Sequence, residues 1–454
     1  MRNTIRYATR AINEMSPEQI RDLQWLKLQR QINYCLDNSG FYRERFKAFD
    51  LNPEDLKSLD DFIKLPALMN KDLEREAQED GLRRLGHPYS TFLCCDQRDV
   101  ALTATTSGTT GVPTFTYTMT KTDLHTLDAA VQEMLGHAGI MPGDKVLFAY
   151  ALGVYATSAM LPPLRNAGVL PIDVDVRAGV ETILQFMQLT RPVALMTTPS
   201  LAQHLIEQTE TLIGRPVRDF GLRALFTVGE IGIGIPEVKK KLETAYGCRV
   251  YDWIAPFAQT FAFSGNTDDY FGMYAITPDT DLYPLDLVDP INGSNIAAVD
   301  GAIGEAVCTS LEKRARPILK YATGDIIKVH LGECPLTGFA GPRFEIIGRS
   351  DDMLIVKGTN VYPAAIKEIV NEFVPDVTGE MRIVLKQPPP RVEPPLVVRV
   401  ERGRELRDPE VEGIEEKLKR SLRNRLHVTP EIEWIEYGSL EISMRKTPIF
   451  EKMY

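Results

Sequence analysis

The sequence predicts an α/β protein: a large, multi-layer N-terminal α/β domain followed by a small C-terminal α+β domain. Short apolar runs alternate with helical patterns from residue 100 to about residue 319. This is the rhythm of parallel strands joined by crossover helices. Near residue 349 it ends, and short strands gather around one amphipathic helix. A length of 454 residues suits two or three domains with ample core.

The chain has a strong helix start. Ser16 can cap, Pro17 suits the first turn, and Gln19 completes a capping box. Trp25, Leu28, Ile32, Cys35 and Leu36 then share one helical face. Helices broken by the FYRERF stretch and by the Leu65-Pro66 step are expected up to about residue 73. They belong to a helical region of about 1–85, read as a packing unit without chemistry.

Strands are expected at 145–150, 192–197, 222–228 and 249–253, with helices at 179–189 and 236–246 among them. Beyond residue 349, strands at 382–386 and 396–400 flank the loop QPPPRVEPP. That loop reads as a stiff hairpin connection rather than a partner-binding segment. Asp408-Pro409 starts a helix with Val411, Ile414, Leu418, Leu422 and Leu426 on one face, and a strand at 431–437 follows. The two units are set at 1–348 and 349–454.

Residues 105–114 read TTSGTTGVPT. Glycine lets a backbone turn and lets amide groups approach a ligand closely. Hydroxyls on Thr106, Ser107, Thr109 and Thr110 add donors around Gly108 and Gly111. Amides and hydroxyls together make a concave anion site, so the stretch is read as a phosphate-gripping loop. It is not a Walker loop, since no lysine follows Gly111.

A formal net charge of −10 argues against general nucleic-acid or anionic-membrane binding. No apolar run reaches bilayer length, and the first residues lack the apolar core of a signal peptide. A soluble cytoplasmic enzyme is expected. Cys35, Cys94, Cys95, Cys248, Cys308 and Cys334 show no CxxC pairing, which argues against a disulfide framework or zinc site.

The loop SGTTGVPT resembles the signature of the adenylate-forming (acyl-CoA synthetase) superfamily, in its phenylacetate–CoA ligase-like branch. The resemblance runs over nearly the whole chain. It implies a small C-terminal domain that acts as a mobile lid. It also implies ATP, Mg²⁺ and coenzyme A as reactants, together with a small carboxylic acid, and it allows a homodimer. Ser107, Gly108, Thr109, Thr110 and Gly111 would then hold phosphates. Gly229 and Glu230, at a strand end, would lie along the adenine, with the Tyr251 ring stacked near it. Asp325 in YATGD would hold the ribose diol, and Arg349 would reach the ribose and phosphate. Asp351 matches the hinge, and Gly358, Thr359 and Asn360 match the loop that faces the pantetheine arm of CoA. Lys446, eight positions after Gly438, matches the catalytic lysine, with Lys452 a weaker candidate.

The stretch FAYALGVYATSAML matches the acyl-pocket region, where Phe148, Tyr150 and Tyr155 either line a flat slot or pack in the core. Two departures stand out. Val112 replaces a lysine common in the branch, and Ala255 replaces the glutamate that helps to hold Mg²⁺. Asp252 is named as a substitute; which residues hold the metal is left open. The expected activity is that of an AMP-forming ligase for an aromatic or arylalkyl acid, forming the CoA thioester through an acyl-adenylate. Two alternatives stand beside it. One is an adenylating enzyme that passes the acyl group to an amine or carrier protein. The other is a nucleotide- or acyl-binding homologue with impaired catalysis.

Overall fold

The computed structural model describes residues 15–105, 113–230, 232–258, 261–265, 268–332, 341–440 and 447–454. Its backbone is a twelve-stranded sheet with two characters. One half is parallel, in the spatial order Leu170–Asp175, Lys145–Tyr150, Ala194–Thr197, Ala224–Thr227 and Arg249–Ile254. From there it continues antiparallel through Ala262–Ser264, Met273–Ala275, Arg343–Arg349, Tyr321–His330 and Ile303–Cys308. The strands expected from apolar runs all appear, within about two residues at each end except that the one expected at 382–386 starts five residues earlier, as Val377–Leu385.

Alternation along the parallel strands separates two cores. Val146, Phe148 and Tyr150 face one side, under helices Lys121–His137 and Leu161–Asn166. Leu147 and Ala149 face the other, under Val180–Thr190, Pro199–Ile213 and Pro236–Tyr246. Both faces being covered, the central strands Ala194–Thr197 and Ala224–Thr227 are buried throughout.

The N-terminal helices pack on the antiparallel half. Helix Pro17–Asn38 starts on the expected box, with Ser16 and Gln19 each taking the other's backbone amide. FYRERF does not break helicity as expected; it lies inside a second helix, Gly40–Ala48. Ser39 caps that helix, and burial of Phe41, Tyr42 and Phe46 stabilises it. A fully buried Lys320–Asp286 pair, 2.8 Å apart, also reaches the Ile63 carbonyl, so its charges are hydrogen-bonded as well as paired.

The helical region also reaches the Gly-rich stretch. Gln78, in helix Lys71–Leu85, donates to the Pro113 carbonyl at 2.8 Å and accepts from the Phe115 amide at 2.9 Å. This two-point clamp fixes the exit of the stretch. Gln78→Ala should remove about 1–3 kcal/mol of stability, since two backbone groups lose their partner at a part-buried site. A urea titration reads the shift, and an unmoved midpoint would show that water replaces the amide.

Beyond residue 353 the chain builds its own core around Leu354, Ile366, Ile383, Val398 and Leu418. Its four-stranded sheet has the order Glu431–Ile435, Val397–Arg402, Val377–Leu385 and Phe450–Lys452. The Pro-rich loop joins antiparallel strands, as expected of a hairpin connection. Five of the cysteines are free thiols; Cys334 lies outside the described residues. Among the described residues no helix is long and apolar enough to cross a membrane.

Candidate active site

The carboxyl ends of the parallel strands converge, as ligand-binding crevices of such sheets do. The Thr105 amide donates to the Val154 carbonyl at 2.7 Å, and the Thr105 carbonyl accepts from Ala156 at 3.0 Å. The entry to the Gly-rich stretch is thus stitched to the loop that follows strand Lys145–Tyr150. Ser107, Gly108, Thr109, Thr110, Gly111 and Val112 lie outside the described residues.

After strand Ala224–Thr227 the chain turns at Gly229, with φ +97°, a conformation that favours glycine. Glu230 follows, and protein donors engage its carboxylate. It accepts from the Ser200 hydroxyl, from the Ser200 amide at 3.2 Å, and from the Thr447 amide at 3.1 Å. Thr447 comes from the C-terminal unit, immediately after Lys446, which itself lies outside the described residues.

The second cluster lies where the antiparallel half meets the C-terminal unit. Asp325 and Arg349 are paired across neighbouring strands, and Arg349 Nη1 donates to Asp325 Oδ1 at 2.5 Å. Arg349 also forks onto Asp351, with Nε at 2.8 Å and Nη2 at 3.2 Å. Burial pushes the Asp351 carboxyl up, but the bonds from Arg349 outweigh it and hold the group below the ordinary carboxylate range.

Asp325 lies inside the ten-residue strand Tyr321–His330. A bulge presents it. Gly324 has φ +81°, and a Cβ there would come within 2.6 Å of Arg349. Thr323, which sequence reasoning passed over within YATGD, accepts from the Asp325 amide at 3.0 Å and donates to Ala306 at 2.8 Å. Glu305 accepts from the Gly324 amide at 2.8 Å.

Other expected contacts are not where the sequence placed them. Tyr251 is only 2% exposed and stacks on Phe226 at 5.2 Å, so it is part of the core. Its strand continues to Ile254, which leaves the tyrosine in mid-strand. Asp252 points to the opposite face, where the Tyr270 hydroxyl donates to it at 3.2 Å. Burial raises its carboxyl to about 7, against the opposing bonds from Tyr270 and the Trp253 amide. Phe148 and Tyr150 are core residues, their rings 4.7 Å apart, and the Tyr150 hydroxyl donates to the Thr197 carbonyl. Of the three proposed pocket aromatics only Tyr155 is partly open, beneath the Arg177 guanidinium at 5.8 Å.

The Asp325 charge also reaches a different aromatic pair. Burial raises the Tyr117 phenol, and the Asp325 charge adds to that rise. The Tyr117 ring stacks on Phe257 at 6.4 Å, and Phe257 meets Tyr321 edge-on at 4.7 Å. Phe257 has φ +53°, unusual for a bulky residue. The buried Lys313 ammonium, 3.0 Å from the Phe257 carbonyl, secures it. Alternation in the strand after the Gly-rich stretch was the one signal for Tyr117.

Lys357 and Gly358 form the two-residue turn of a hairpin, both with positive φ, between Leu354–Val356 and Thr359–Val361. Gly358 and Asn360 are exposed and Thr359 is half-buried. Lys452 is an exposed residue of strand Phe450–Lys452.

Residues 358–450 match the family model described as "AMP-binding enzyme C-terminal domain". The phenylacetate-coenzyme A ligase of Escherichia coli K12 is 30% identical over 368 residues, covering 80% of this chain and 78% of that one. The chain belongs to the phenylacetate–CoA ligase-like branch of the adenylate-forming superfamily. The phenylacetate-coenzyme A ligase of Thermus thermophilus is 27% identical and covers 93% of both chains. Among solved structures, 2-hydroxyisobutyryl-CoA ligase in the postadenylation state is 26% identical, with a TM-score of 0.83 over 96% of this chain and 90% of that one. The same ligase in its thioesterification state, with adenylate and CoA, gives 0.67. Membership makes the chain an AMP-forming acid–CoA ligase that works through an acyl-adenylate.

The described residues do not offer the family's metal carboxylate. Ala255 has none, Asp252 is turned to Tyr270, and no cluster of three metal-ligating side chains exists among the described residues.

Proposed function

We propose that the ligase activates an aromatic or arylalkyl carboxylic acid. Asp325 accepts hydrogen bonds from the ribose hydroxyls of ATP while Arg349 orients it. The acid carboxylate attacks the α-phosphorus, pyrophosphate leaves from the Gly-rich loop, and the acyl-adenylate remains. Lys446, on the C-terminal unit, offsets the charge growing between carboxylate and phosphate. The lid then turns about Asp351, between units 1–348 and 349–454. It brings the Gly358, Thr359 and Asn360 hairpin to the pantetheine arm. The CoA sulfur attacks the acyl carbon and AMP departs.

One observation carries the choice of acid. The half-buried Tyr117 ring stacks on the core residue Phe257 and feels the Asp325 charge, and a flat apolar ring gains stacking area against it. The relatives named for phenylacetate support the same choice. A panel of acids scored for AMP and pyrophosphate release tests it. Arylacetates and benzoates should exceed short aliphatic and hydroxy acids by at least tenfold in kcat/KM. Equal rates with 2-hydroxyisobutyrate would overturn the aromatic assignment.

A second reading, impaired catalysis, is favoured by Ala255 and by the burial of Asp252. Acid-dependent pyrophosphate exchange separates the two. The same assay with and without CoA also separates thioester formation from transfer to an amine or carrier protein.

A further inference from the structure

On the ligase reading above, we propose that Glu230 is a positioning residue for the C-terminal tail of the lid. Its carboxylate grips the Thr447 backbone amide and seats the lid's tail over the cleft during acid activation. Three observations point there. First, the carboxylate is itself fixed from the other side. Ser200, at the start of helix Pro199–Ile213, gives it both its amide and its hydroxyl, leaving one oxygen for Thr447 at 3.1 Å. Second, the same helix receives the tail again at its rim, where the Tyr437 hydroxyl donates to Glu207 at 3.1 Å. Third, the whole chain superposes better on a relative in its postadenylation state than on that relative poised for thioester formation, 0.83 against 0.67. The contact therefore occurs in an arrangement closer to that relative's postadenylation state than to its thioesterification state.

The donor is well chosen for a latch. Thr447 precedes Pro448, and a residue before proline is held extended. Its amide direction is thus fixed without any side chain. A bond from a neutral amide to a carboxylate is among the stronger kinds, yet a turn of the lid breaks it without burying a charge. The Glu230 carboxylate is half-buried and has Ser200 as a partner outside the lid.

The test separates docking from nucleotide contact. Glu230→Ala should lower kcat for acid-dependent pyrophosphate release about tenfold, the worth of one hydrogen bond to a charged group. The KM for ATP and the affinity for AMP should stay within twofold. Thioester formation from a supplied acyl-adenylate should be unchanged or faster, which also shows that the variant folds. Thr447→Pro removes the amide hydrogen directly and should give the same split, with no further loss in the double variant. A raised KM for ATP with kcat preserved would make Glu230 a nucleotide ligand instead. Equal loss of both half-reactions would reduce it to a structural residue. If the unaltered protein released pyrophosphate with no acid at all, the ligase reading would fail first, before any variant is compared.

Discussion

Arg349→Ala should lower acid-dependent AMP release by about 10²–10³-fold, the usual loss when one preorganised charged group leaves a site. Arg349 is the hub of its cluster. One nitrogen holds Asp325 at 2.5 Å and two others hold Asp351. Without the guanidinium, two carboxylates share a partly buried corner with no cation between them, and Asp325 loses the group that aims it. Lysine at this position should recover little, because a point charge cannot serve two carboxylates at the angles of a fork. Thioester formation from a supplied acyl-adenylate should also fall, since the ribose is still held in that step. AMP release followed beside thermal unfolding distinguishes lost chemistry from lost fold. A folded variant with less than threefold loss would remove Arg349 from the site.

The two clusters differ in how far sequence could reach them. Asp325, Arg349 and Asp351 sit in short, ordered motifs, YATGD and GRSDD, and the chain brings all three within hydrogen-bond distance. Local order sufficed because strand pairing sets Asp325 directly opposite Arg349. The strands and helices of the α/β half were legible for a related reason, their apolar periods being uninterrupted. Tyr251, Phe148 and Tyr150 illustrate the opposite case. Each stands in a strand covered on both faces, where a long-range decision about strand length, made at Ile254 for Tyr251, settles between pocket and core. FYRERF misled because its charges hide a face of Phe41, Tyr42 and Phe46 that only the partner surface reveals. The Glu230 latch was invisible in kind. Its partner is a backbone amide more than two hundred residues away, and no side-chain pattern encodes one.

Lys446→Ala should abolish most acid activation, again by about 10²–10³-fold, and leave the second half-reaction nearly intact. Two anions, the acid carboxylate and the α-phosphate, must approach each other during activation, and an ammonium placed between them lowers that repulsion. The position of Lys446 lies outside the described residues, but its neighbour Thr447 is bonded to Glu230 at the ends of the parallel strands. Lys452, the other basic residue of this tail, is an exposed strand residue of the lid's sheet, the strand pairing with Val377–Leu385. Lys452→Ala should leave both steps within about twofold, the size expected of a solvated surface charge. Lys446→Arg keeps the charge but spreads it over a larger plane, so partial recovery would mark an electrostatic role, whereas no recovery would mark a steric one. The decisive comparison is between pyrophosphate release from ATP and acid, and acyl-CoA formation from supplied acyl-adenylate. If Lys446→Ala slowed both alike, the lysine would serve the fold or the nucleotide in either lid position. If Lys452→Ala alone stopped activation, the sheet carrying it would have to turn toward the cleft, and the Thr447–Glu230 contact would belong to some other step.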